Sequence, residues 1–127
     1  MTYLWIAIGS GLGGMARFWF AGTVDRVIGE TFPWGTVRVN IVGSFVIGFF
    51  GTLTGPDGRW FLSSDARIFV MVGLCGGYTT FSAFSLQTLN LARDGEYLWA
   101  SANVLISLVA CLAAVWLGHM AAAALNR

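Results

Sequence analysis

Lysine is missing from this 127-residue chain: its seven basic side chains are all arginines, and six acids bring the net charge to +1. Only 10% of residues are charged, so no basic stretch of the kind that grips nucleic acid can form. There are two cysteines, two prolines and a single histidine. Cys75 and Cys111 have no acid or histidine near them and read as small packing residues, not as a disulfide or metal pair. His119 stands alone near the C-terminus, a position that suits an interfacial side chain. No Ser-His-Asp, Cys-His or metal-ligand cluster can be assembled from these spacings, so the chain does not read as an enzyme. The first apolar segment holds no acid, and every acid lies in a loop or at a segment end. A proton-coupled exporter needs a titratable group at membrane depth, which this pattern excludes.

What the chain has is apolar surface. It is 57% hydrophobic, with a mean hydropathy of +0.73. A soluble domain of this length could not hide so many apolar side chains. Four apolar segments, at about 3–22, 36–54, 67–89 and 97–124, alternate with short charged zones. A helix needs about 20 residues to cross a bilayer, so the expected fold is an all-α membrane protein, residues 1–127 forming one four-helix domain. The first segment lacks the positive flank of a cleaved signal peptide. Gly55-Pro56-Asp57-Gly58 predicts a turn, and Trp5, Trp34, Trp60 and Trp99 fall near segment ends, where interfacial rings belong.

Orientation is undetermined by charge. Arg59, Arg67 and Arg127 fall on the side of the termini; Arg26 and Arg93 fall opposite, with Arg17 and Arg38 near that interface. The positive-inside rule therefore favours neither orientation. A chain that inserts both ways can pair with an inverted copy, an antiparallel dual-topology homodimer. Small residues repeat at intervals of four (Gly9 and Gly13, Ser10 and Gly14, Ser44 and Gly48), a spacing that lets helices approach closely in lipid.

Polar groups at membrane depth are the functional candidates. Asn40 and Ser44 lie one turn apart in the second segment, and Asn103, Ser107 and Cys111 repeat at intervals of four in the fourth. The third segment contains GLCGGYTTFSAFS, Gly73 to Ser85. Gly76-Gly77 weakens a helix by about 1 kcal/mol per glycine, which predicts a break in mid-membrane. The carbonyls freed there suit a hard cation such as Na⁺. Thr79, Thr80, Ser82 and Ser85 add hydroxyls, and Phe81 and Phe84, three apart, share a face if helix resumes. Ring edges are electropositive. Edges beside hydroxyl and amide donors, with no fixed charge, suit a small anion.

At these residues the sequence resembles the Fluc (CrcB) family of bacterial fluoride channels. The likeness runs over nearly the whole chain: Gly-x-Gly-Gly-x-x-Arg ending at Arg17, Gly35-Thr36-x-x-Val39-Asn40-x-x-Gly43, and Gly76-Gly77-x-Thr79-Thr80-Phe81-Ser82-x-Phe84-Ser85. The resemblance implies passive fluoride export across the bacterial inner membrane and so resistance to fluoride. It implies two pores at the interface of an antiparallel homodimer. It makes Asn40 the fluoride-contacting amide and Phe81 and Phe84 the pore rings. Thr36, Thr80 and Ser82 become hydroxyls near the ion path, and Asn103 and Ser107 a polar track. Arg17 becomes a vestibule charge that concentrates anions. The Gly76 and Thr79 carbonyls would hold a central structural Na⁺ shared by both copies. Three positions depart from the family pattern: Gln87 and Asn103 stand where many members carry glutamate and some carry tyrosine, and Arg38 sets a charge inside the Gly-Thr-x-x-Val-Asn motif, where it is expected to snorkel outward. The alternatives are a small multidrug-type exporter, which needs a glutamate in its first helix, and a non-conducting or heteromeric membrane subunit.

Overall fold

The computed structural model describes Met1–Arg127 throughout and contains helices and no strands. Helix α1 (Thr2–Ile28) leads into α2 (Trp34–Leu53). The third apolar segment is composite: α3 (Ser64–Ile68), a π-helical stretch π1 (Phe69–Cys75), a single turn α4 (Gly76–Tyr78), and then α5 (Phe81–Arg93). Helix α6 (Tyr97–Leu125) closes the chain. Glycines at positive φ make two of the turns, Gly29 (107°) after α1 and Gly95 (80°) between α5 and α6.

The helices overrun the apolar segments. At about 1.5 Å per residue, the 27 residues of α1 extend about 40 Å. Its last turn therefore carries Asp25 and Arg26 beyond the hydrocarbon, where charge is hydrated. Each of the four apolar segments falls on helix, the third on a composite one. Three helical segments are long and apolar enough to cross a membrane: Trp34–Leu53, Ser64–Arg93 and Tyr97–Leu125. Helix α1 has the length, but four glycines between Gly9 and Gly14, Ser10 and Arg17 dilute its hydropathy.

Those glycines serve contact instead. A Cβ on Gly9 would meet Phe69 O at 2.7 Å and Gly73 Cα at 2.8 Å; one on Gly13 would strike Leu74 O and Tyr78 N. From the other side, a Cβ on Gly77 would meet Ser10 O at 2.5 Å. Helix α1 thus lies backbone against backbone along π1 and α4. Helices α2 and α6 cross in the same manner. A Cβ on Gly118 would strike Phe45 O, and one on Gly48 would strike Val115 O.

Only 18 of 127 residues are buried, and large apolar side chains such as Phe18, Trp19, Leu105 and Val109 lie exposed. The surface is apolar where a soluble protein's would be polar, as lipid-facing helices require. Phe32, 3% exposed, sits between Trp34 and Trp99 at ring distances of 4.6 and 5.6 Å and ties the first loop to the start of α6.

This packing predicts which glycines tolerate a methyl group. Gly13→Ala and Gly77→Ala should each lower stability by about 1–3 kcal/mol. Gly14→Ala, with nothing within 4 Å, should be neutral. Thermal unfolding of the purified variants in detergent checks the order; an unaffected Gly77→Ala would contradict it.

Candidate functional site

The sequence locates the break at Gly76-Gly77, but both glycines are helical, Gly76 at φ −64° and ψ −39°. The chain leaves the helix two residues later. Thr79 (φ −83°, ψ 158°) and Thr80 (φ −152°, ψ 114°) are extended, and helix resumes at Phe81. Gly77 is needed for its contact with Ser10 rather than for flexibility. The glycine that admits the extended segment is on another helix: a Cβ on Gly43 of α2 would strike Thr79 Cγ2.

One turn before Gly43, the Asn40 amide grips the extended backbone. Its Oδ1 accepts from Thr80 N at 2.8 Å, and its Nδ2 donates to Thr80 O at 3.0 Å. The pair imitates one rung of a β-ladder, so buried peptide groups are satisfied without a strand. Thr80 then caps α5, its hydroxyl accepting from Ala83 N at 3.1 Å. The Thr79 amide and hydroxyl both donate to Cys75 O, at 3.0 and 2.9 Å.

These bonds release two particular carbonyls. In a continuous helix Thr80 N would donate to Gly76 O, and Ala83 N to Thr79 O. Asn40 takes the first N–H and the Thr80 hydroxyl takes the second. Gly76 O and Thr79 O thereby lose their ordinary i+4 donors. Arg17 acts on the intervening residue, its Nε donating to Gly77 O at 3.4 Å. A cation at the C-terminal end of a helical segment is favoured by the helix dipole.

Beside the break lies an open groove of about 480 Å³ between α2, the α4–α5 junction and α6. Asn40, Gly76, Thr79, Thr80, Phe81, Phe84 and Ser107 all line it, and no charged side chain does. The Phe81 and Phe84 ring centroids are 5.3 Å apart at 54°. Phe81 is 79% exposed, so its ring faces open space. Three of the pore candidates stand outside the lining, as does Arg17. Thr36 is buried one turn before Asn40. Ser82 is exposed, its hydroxyl 3.4 Å from that of Thr80. Asn103 is 1% exposed and reaches the groove only through Ser107, whose hydroxyl donates to its Oδ1 at 3.3 Å.

Sequence reasoning named Gly43 in a motif but gave it no role, and it passed over Thr88, which lies one turn beyond Phe84; the missing side chain of Gly43 makes room for Thr79. Nothing in the sequence marks Thr88, whose partner is on another helix. Gln87 Oε1 is buried without a hydrogen-bond partner. Arg38 is exposed, and both cysteines are free. No group of three His, Cys, Asp or Glu side chains could hold a metal ion, so a cation here would depend on backbone carbonyls.

An apolar helical surface around a largely apolar, uncharged groove marked by a few polar groups defines a multi-pass helical membrane protein. The family described as "CrcB-like protein, Camphor Resistance (CrcB)" matches residues 4–119. The chain is 61% identical to the "Fluoride-specific ion channel FluC" of Methylocella silvestris, over 100% of this chain and 97% of the relative. It is 60% identical to the Rhodospirillum rubrum protein of the same name (99% and 98% covered) and 60% identical to that of Opitutus terrae (98% and 94%). The chain belongs to the CrcB family, whose curated relatives are named as ion channels and not as enzymes, and it is a multi-pass bacterial membrane protein.

The Asn40 clamp makes a prediction separable from transport. Asn40→Leu leaves a part-buried N–H and a part-buried C=O without partners, at about 1 kcal/mol each. Asn40→Asp keeps the acceptor for Thr80 N but sets a carboxylate against Thr80 O. Hydrogen exchange at the Thr80 amide should therefore be fastest in the leucine variant, intermediate in the aspartate variant and slowest in wild type. Equal rates in all three would refute the clamp.

Proposed function

We propose that the chain is a fluoride channel that lets the anion leave the cytoplasm down its electrochemical gradient and so confers fluoride resistance. One observation carries the reading: an uncharged groove that combines two phenyl rings, an amide and hydroxyls at membrane depth, in a chain about 60% identical to fluoride-specific channels. Fluoride is small and strongly hydrated. It enters such a groove only where compact donors replace lost water, and positive ring edges add attraction without a fixed charge that would trap it. Asn40 keeps one Nδ2 hydrogen beyond its bond to Thr80 O, since an amide nitrogen carries two. Phe81, Phe84, Thr80 and Ser107 supply the remaining wall. Thr36, Ser82 and Asn103 support that wall, and Arg17 raises the local anion concentration.

The groove is open on one side, and the exposed Phe81 ring is part of that side. A second, inverted copy would close it, giving an antiparallel dual-topology homodimer with one pore along each of two equivalent grooves. The even division of arginines across the membrane agrees with insertion both ways. The third span would then break in mid-membrane at Thr79-Thr80. The Gly76 and Thr79 carbonyls of the two copies would face each other across the axis. Carbonyl oxygens that have lost their helical donors are suitable ligands for a hard monovalent cation, and Na⁺ fits that donor set as a structural ion. The cation would supply only attraction for carbonyl dipoles of both copies, tying them together; the pore residues remain those of the chain.

Reconstitution of the chain alone into liposomes, with fluoride efflux read by a selective electrode, tests the channel. Efflux without a proton gradient is expected; its absence would favour a heteromeric or non-conducting subunit. Phe81→Ile and Phe84→Ile should fold, at a packing cost of about 1–2 kcal/mol, and lose most of the flux. Undiminished flux in both would remove the rings from the pathway. Exchange of Na⁺ for a large organic cation before assembly should lower the dimer's thermal stability, a readout independent of flux. Labelling of a cysteine placed at Gly58 should proceed partly from each face of intact cells. Complete protection from one face would exclude dual topology.

A further inference from the structure

Thr88 takes no part in lining the groove, yet it is the middle of a line of three hydrogen bonds that run in one direction, two of them its own. Its hydroxyl donates to Phe84 O at 2.8 Å. Asn103 Nδ2 of α6 donates to the Thr88 oxygen at 2.8 Å. Ser107, on the groove wall, donates to Asn103 Oδ1 at 3.3 Å. The polarity of this line is forced. A carbonyl oxygen only accepts, so the single Thr88 proton goes to Phe84 O. The Thr88 oxygen must then accept, which fixes the Asn103 amide with Nδ2 toward α5 and Oδ1 toward Ser107. Ser107 has one proton and gives it to that oxygen. A flipped Asn103 would set its oxygen against a hydroxyl that has no proton left, and set its NH₂ against Ser107.

We propose that Thr88 is a positioning residue, one that sets which way the Ser107 proton points and ties the helix carrying the Phe84 ring to the polar face of α6. This deepens the channel reading and rests on it. Asn103 is 1% exposed, so its amide cannot turn to water for other partners. Backbone movement at Phe84 and reorientation of Ser107 are therefore coupled through Thr88 rather than through the groove. The Ser107 proton has two possible acceptors, Asn103 Oδ1 and an anion in the groove. Thr88 biases that choice by holding Oδ1 in place. The interaction is local: α5 touches the rest of the chain mainly through α6, and this line is the polar part of that contact.

The test compares Thr88→Val, which keeps the shape and loses the hydroxyl, with Thr88→Ser, which keeps the hydroxyl. Both are made in the full chain and reconstituted alone. Fluoride efflux should fall about tenfold in the valine variant and stay within about twofold of wild type in the serine variant. Thermal unfolding of Thr88→Val, Asn103→Ala and the double variant supplies the second readout. Both singles should lower the midpoint, and the double variant should fall no further than the worse single. Wild-type flux in Thr88→Val, or midpoint losses that add in the double variant, would overturn the relay. A wild-type chain that passes no fluoride would remove the channel reading, while the unfolding cycle would still decide the hydrogen-bond line.

Discussion

The Asn40 amide governs the middle of this molecule. Water cannot supply partners for peptide groups within hydrocarbon, so a chain that leaves the helix there must find them in protein. Asn40 provides both, one for the N–H of Thr80 and one for its C=O. Every feature around the groove follows from that substitution. The Thr80 side chain is free to cap α5, Phe81 begins a helix with its ring exposed, and the Gly76 and Thr79 carbonyls are released from the helical ladder.

That grip has value only because α2 approaches closely enough to deliver it. Closeness is achieved with glycine rather than with complementary side chains. Gly43 admits Thr79, Gly48 and Gly118 bring α2 against α6, and Gly9, Gly13, Gly73 and Gly77 bring α1 against π1 and α4. In lipid no hydrophobic driving force separates a buried apolar side chain from an exposed one, so contact between backbones does much of the holding. The cost appears in α1, whose glycines and serine make it less apolar than the other spans. It remains a long helix because α4 and π1 cover that face.

Polar side chains inside the span are paired along definite directions. Arg17 meets a carbonyl at the end of α4, Thr79 turns its hydroxyl back on Cys75, and Ser107, Asn103 and Thr88 pass their protons toward Phe84 O. Of these donor side chains only Thr79 and Ser107 reach the groove wall, which carries no charged side chain. On the channel reading proposed above, an anion would exchange part of its water for polar groups on that wall and still depart, a balance that a lysine or a buried arginine there would upset.

Class and outline were legible in the residues themselves. Hydropathy and segment length define a helical membrane protein because hydrocarbon thickness sets helix length directly, and three of the four spans carry that signal unaided. Asn40, Thr80 and Ser107 stood out as polar groups at membrane depth, and Phe81 and Phe84 as rings three apart beside hydroxyls; the fold gathers all five on one groove. The location of the break was not legible. Gly76-Gly77 has the weaker helix propensity, yet propensity differences near 1 kcal/mol yield to the contact with Ser10 and to two hydrogen bonds from a helix some forty residues earlier. Thr88 was silent for the same reason: a hydroxyl one turn beyond a phenylalanine acquires meaning only when another helix sets an amide 2.8 Å away. Local composition decides what a segment can dissolve in; which carbonyl is freed and which proton points where depends on atoms brought from distant parts of the chain.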